Sequence, residues 1–174
     1  MSSAFAVLAP FHDASPLLAF LDNAVLWWGL AACGSAQLSK LVIELVVHRR
    51  WNPRVLVETG GMPSSHSALM TGTAAGIGWQ LGFADGLFAL AATLCFVVLY
   101  DASGVRRAAG LTAERVNGLV SDPELKPLKQ NLGHTRLEVL VGSLMGPLVA
   151  LPGLALVGSP LQLASGWGLI TPLG

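Results

Sequence analysis

The chain has 174 residues, of which 53% are hydrophobic and only 11% charged, under half the roughly 25% charged share of a soluble globular domain. Ten basic residues balance ten acidic ones, so no overall field draws polyanions, and a disordered or nucleic-acid-binding chain is excluded. An integral membrane protein is what remains.

Residues 1–23 contain no Lys or Arg and are broken by Pro10 and Pro16, so they lack the basic start and clean apolar run of a secretory signal. They read as peripheral, or as a short extra helix over 5–21. Four spans follow from the apolar-run rule, at 24–47, 66–83, 86–101 and 136–157. The Gly- and Pro-rich tail 158–174 reads as another peripheral piece. The expected fold is therefore all-α, a single membrane domain over 1–174 built as a helical bundle with four or more transmembrane helices. Cys33 and Cys95 sit alone in apolar stretches and read as small buried hydrophobes. Gly72 with Gly76, and Gly142 with Gly146, form two GxxxG steps that let helix backbones approach closely.

All ten Lys and Arg fall in two windows, Lys40 to Arg54 and Arg106 to Arg136. Two spans separate the windows, so both face one compartment, which the excess of positive charge makes the cytoplasmic side or its equivalent.

The residues able to do chemistry lie in or beside these windows. Lys40 sits inside the first span between Gln37 and Glu44. Either it snorkels while bridging Glu44 one turn on, or it is functional at that depth. Gly60-Gly61-Met62-Pro63-Ser64-Ser65-His66-Ser67 runs into the second span. Paired glycines permit unusual backbone angles, and Ser64 is a good N-cap that leaves amides and a positive helix end facing the loop, suited to an anion. His66 at its rim is either a proton donor to something held there or an interfacial histidine on an ordinary capped helix. After the third span come Asp101 and, past a Gly104 turn, Arg106 and Arg107. The arginines either fork phosphate oxygens or anchor the loop to headgroups. Asp101 orients one of them, caps a helix, or joins a metal site with His66 and Glu138. His134 and Glu138, four apart at the start of the last span, share a helix face, so the carboxylate can fix one imidazole nitrogen and free the other as nucleophile or base. A purely structural pair is the alternative.

Taken together, Ala36-Gln37-Leu38-Ser39-Lys40, the Gly-Gly-Met-Pro-Ser-Ser-His-Ser-Ala run at 60–68, Tyr-Asp-Ala-Ser-Gly-Val-Arg-Arg at 100–107 and Leu-Gly-His-Thr at 132–135, with Glu138, Val139 and Gly142, resemble a known family. It is the divergent membrane branch of the type-2 phosphatidic acid phosphatase and vanadium haloperoxidase superfamily, matched over about 34–155. The resemblance implies a helical bundle with a phosphate site at one membrane face that needs neither metal nor cofactor. It implies that His134 attacks phosphorus to give a phosphohistidine, that Glu138 orients it, and that His66 protonates the leaving oxygen. Ser64 and Ser65 would bind phosphate oxygens, and Lys40, Arg106, Arg107 and Lys129 would neutralise charge in the transition state. Two of the wider family's basic positions fall instead on Val47 and on Leu128 after Pro127, which leaves Lys126, Lys129, Arg106 and Arg107 to replace them.

The expected function is hydrolysis of a phosphomonoester or pyrophosphate borne on a membrane lipid, with lipids as partners and oligomeric state open. The alternatives are a non-catalytic membrane protein that binds phosphate or headgroups, or an assembly factor, and a metal-dependent site using Asp101, His66, His134 and Glu138.

Overall fold

The four longest helices each begin on a side chain able to satisfy their free amides. Asn23 accepts from the Leu26 N–H at 3.0 Å to start α2, Ala24–Val46. Ser64 caps α3, Ser65–Leu81, and Asp85 accepts from Leu87 at 2.7 Å to open α4, Gly86–Ser103. Thr135 caps α6, Arg136–Leu156. Before α2 stands the short α1, Pro16–Leu21, and after α6 the short α7, Pro160–Gly166; a 3-10 turn spans Pro53–Leu56. These elements come from a computed structural model that describes residues 15–56, 60–120 and 125–169. Residues 1–14 of the expected N-terminal peripheral segment, and 170–174 of the tail, lie outside the described residues.

The described residues are helical with no strand. Three stretches are long and apolar enough to cross a membrane: Ala24–Val46, Gly86–Leu119 and Arg136–Gly166. The helix read from sequence at 66–83 forms as α3 but is 17 residues long. It is the central element, packed against α2, α4 and α6. The other unanticipated feature is α5, Val105–Leu119. The sequence reads as a span over 86–101 followed by a turn at Gly104, whereas α4 runs on through Ser103, breaks at Gly104 and resumes at once as α5. This helix carries Arg106, Arg107, Glu114 and Arg115 on exposed positions while Gly110 and Ala113 are buried, the segregation of a helix lying along a surface.

The interior is made of small residues. Ala32, Ala36 and Ala68 are fully enclosed. A methyl added at Gly72 would touch the Gly146 carbonyl and the Cβ atoms of Ala32 and Ala150, and one at Gly146 would collide with Ala68, Thr71 and Gly72. The two GxxxG steps thus meet each other across the α3–α6 contact, where backbone approaches backbone. Large apolar side chains point outward instead, Phe96 being 80% and Leu148 73% exposed, as expected where hydrocarbon is the solvent. Hydroxyls within the helices bond back to the preceding turn, as Thr71 does to Ser67 O and Ser143 to Val139 O, so each stays satisfied without water.

The long helices alternate in direction. One end of the bundle gathers the last part of α2, the start of α3, the α4–α5 elbow and the start of α6. At the other end the Ser159 hydroxyl donates to Asp22 at 2.5 Å and the Trp28 indole to Gly158 O at 2.8 Å.

Candidate functional site

The first end of the bundle holds nearly every polar group singled out in the sequence. Gly60 and Gly61 take φ of +102° and +76°, conformations that a side chain rarely tolerates. They turn the chain through a cis Met62–Pro63 bond into the α3 cap. Ser64 Oγ accepts from the Ser67 amide at 3.3 Å and from the Ser67 hydroxyl at 2.9 Å. Ser64 and Ser65 are both buried, so the Ser64 side chain serves the helix end. The Ser65 and His66 amides in the first turn have no partner among the described residues.

The start of α6 is laid against this cap. The Ser64 N–H donates to Glu138 O at 3.1 Å, and Gly142 packs directly beneath the Ser64 backbone. Gly133, at φ +73°, fits against the Arg107 amide and the Ala102 carbonyl, and the His134 N–H donates to Ala102 O at 2.9 Å. One loop therefore ties α6 to the α4–α5 elbow on one side and to α3 on the other.

Glu138 does two jobs. Its Oε2 accepts from the Thr135 amide at 2.9 Å, while Thr135 Oγ1 accepts from the Glu138 amide at 3.2 Å, a reciprocal capping box. The same Oε2 lies 3.3 Å from His134 Nδ1. His134 is buried, and that burial holds its pKa below the ordinary value although Glu138 pulls the other way. At neutral pH the ring is uncharged, and an acceptor-only carboxylate at Nδ1 places the proton there and the lone pair on Nε2. Thr135, quoted above only as part of the Leu-Gly-His-Thr run, is the cap of this helix. The Thr-x-x-Glu spacing at 135–138 was the available signal.

Lys40 is 7% exposed and has no hydrogen bond or ion pair among the described residues. The bridge to Glu44 considered from sequence does not form. Glu44 instead pairs with His48 Nδ1 at 2.9 Å. Arg106 Nε is bonded to Asp101, so of the roles open to that carboxylate the orienting one is realised. Among the described residues no three His, Cys, Asp or Glu side chains gather as a metal would require, which leaves the metal-dependent alternative without a donor set.

Electrostatic interactions link the rest. His66, exposed at the first turn of α3, feels both Arg106 and Lys40, and His134 feels His66, Lys40 and Glu138. Lys40, His66, Arg106, His134 and Glu138 thus form one neighbourhood. A cleft of about 450 Å³ opens beside it, bordered by Lys40, Glu138, Thr135, Gly133, Arg107 and the Gly60–Met62 turn. His66, His134, Ser64, Ser65 and Arg106 do not line this cleft, and neither do the exposed Lys126 and Lys129.

Comparison with known proteins points the same way. The Divergent PAP2 family matches residues 21–149. The chain is 37% identical over 148 residues to an uncharacterized membrane protein, YuiD, of Bacillus subtilis, a match covering 75% of this chain and 94% of that protein. No solved structure matches.

Proposed function

The chain belongs to the divergent PAP2 family, and from that membership we propose that it is a membrane phosphatase hydrolysing a lipid phosphomonoester or pyrophosphate without a metal. The polar end faces the lipid headgroups on the cytoplasmic or equivalent side, with α2, α3, α4 and α6 as four crossings. Phosphate sits at the junction of α3 and α6. The free amides of Ser65 and His66, with Lys40, Arg106 and Arg107, hold its oxygens and neutralise charge as it develops.

His134 Nε2 attacks phosphorus, and a nitrogen–phosphorus bond forms as the bond to the leaving oxygen breaks. His66 gives that oxygen its proton. Water then attacks the phosphohistidine, passes its proton to His66 and releases phosphate, which restores both rings. Glu138 stabilises His134 as it gains positive character. The observation that carries this reading is the Ser64 N–H bond to Glu138 O at 3.1 Å, since it joins the two helix starts that bear the histidines.

The test is phosphate release from phosphatidic acid and from a prenyl pyrophosphate by the purified chain in detergent. His134→Ala should abolish release, and undiminished release would remove the mechanism. A second reading, binding without turnover, is favoured by the engagement of Arg106 with Asp101 and by Val47 and Leu128 standing where the wider family is basic. Vanadate binding without hydrolysis of any offered ester would establish it.

A further inference from the structure

The cleft bordered by Lys40, Gly133 and Glu138 is larger than a phosphate needs and its charge is ordered. Two helices form much of its wall. On α2 it is bordered by Lys40 and, one turn on, by Glu44; on α5 by Arg107 and, two turns on, by Glu114. Arg107 begins its helix against Gly133, next to His134, and Lys40 feels Glu138. Both helices therefore leave the phosphate corner carrying a cation first and a carboxylate about 6 Å and about 10 Å further along, at 1.5 Å per residue. Ile43 and Leu111 lie in the intervening lining.

Lys40 supplies the independent sign of a ligand. The residue is 7% exposed, makes no hydrogen bond or ion pair among the described residues, interacts electrostatically with Glu138 and borders this cavity. Such a charge is costly unless something in the cavity answers it. An anion at Lys40 and Arg107 answers only half of the site. Glu114 is exposed and has no ion pair among the described residues, and Glu44 pairs with the His48 imidazole.

We propose that the cleft selects phosphate esters carrying a protonated amine a short hydrocarbon spacer from phosphorus, with phosphate at Lys40 and Arg107 and ammonium at Glu44 and Glu114. This rests on the phosphate reading above and adds its substrate class. The same chemistry occurs in a lipid headgroup and in a free aminoalkyl phosphate. A carboxylate at the far end discriminates by attraction to the amine.

The experiment is calorimetric binding to the full-length chain in detergent, with O-phosphoethanolamine, ethyl phosphate and glycerol 3-phosphate as probes. Phosphoethanolamine should bind at least tenfold tighter than ethyl phosphate. Glu44→Gln and Glu114→Gln together should erase that preference and leave ethyl phosphate binding within twofold. Equal affinity for the two in the wild-type chain, a preference for glycerol 3-phosphate, or a preference that survives the double variant each overturns the proposal. The wild-type comparison decides even if the double variant does not fold. Binding of ethyl phosphate without amine preference refutes this inference and leaves the phosphate site standing; no binding of any probe refutes both. Competition by nanodiscs bearing an ethanolamine headgroup, but not a glycerol headgroup, identifies the lipid source. Binding that only soluble ligands displace identifies the free one.

Discussion

Gly142→Ala tests the contact on which the site depends. A methyl at that position meets three backbone atoms of Ser64: its carbonyl oxygen at overlapping distance, its nitrogen at 3.0 Å and its carbonyl carbon at 3.1 Å. Backbone cannot rotate aside as a side chain does, and this backbone is already held by the Ser64 N–H to Glu138 O bond. Overpacking costs about 1–3 kcal/mol, and a strained or broken hydrogen bond adds about 0.5–1.5 kcal/mol, for a total of about 1.5–4.5 kcal/mol. Gly34→Ala is the internal control, because a methyl there meets nothing within 4 Å on α2. Its effect should be neutral, or a gain of up to about 1 kcal/mol from helix propensity. Unfolding by titrated SDS in mixed micelles, followed by tryptophan fluorescence, reads both. In Gly142→Ala, phosphate binding should fall further than stability does, since the helix starts bearing His66 and His134 are wedged apart. Equal stability of the two variants would refute the close-approach argument.

Thr135→Ala should cost about 0.5–2 kcal/mol through loss of the α6 cap, with Thr135→Ser close to wild type in the same SDS titration. Lys40→Met should hold or raise stability, because a buried charge without an ion partner gives way to an apolar chain of similar length, while phosphate binding drops at least tenfold by calorimetry; a loss of stability would show that Lys40 is structural. Because burial lowers the His134 pKa, the unfolded chain binds more protons than the folded one between the lowered value and about 6.5. That contribution to stability is complete above about pH 6.5 and is lost as pH falls through the lowered value. Midpoints measured from about pH 8 down to about pH 5 should show this slope, and His134→Asn should flatten it. Asp101→Asn frees the Arg106 guanidinium from its ion pair and should change phosphate affinity with little change in the SDS midpoint, the carboxylate being partly exposed.

The long apolar runs placed α2, α4 and α6 to within two residues at either end, because span length and hydropathy are local properties. The Gly60-Gly61 turn and the Ser64 cap were also legible, since positive φ and helix capping are written in adjacent residues. Less was visible where two local preferences compete. Gly104 reads as a turn, yet the chain breaks there for a single residue and goes straight on as α5. Glu44 had two candidates at helical spacing, Lys40 and His48, and pairs with His48. The meeting of Ser64 with Glu138 is a contact between residues 74 apart in sequence, set by how Gly72, Gly142 and Gly146 let the helices dock. No pattern in either segment alone encodes it.

An interior assembled from glycine and alanine reverses the usual rule for tolerated change. In most proteins, trimming a central side chain leaves a void and is the damaging event. Here almost nothing at the centre is left to trim, so harm comes from growth: Ala32 and Ala68 are fully enclosed, and a carbon added at Gly72 meets the Gly146 carbonyl and the Cβ atoms of Ala32 and Ala150. A saturation library selected for folded protein should therefore keep Ala-to-Gly exchanges at Ala32 and Ala68 and discard Val or Leu at all three positions. On the outward faces of α4 and α6 the same library should accept almost any greasy residue and reject charge.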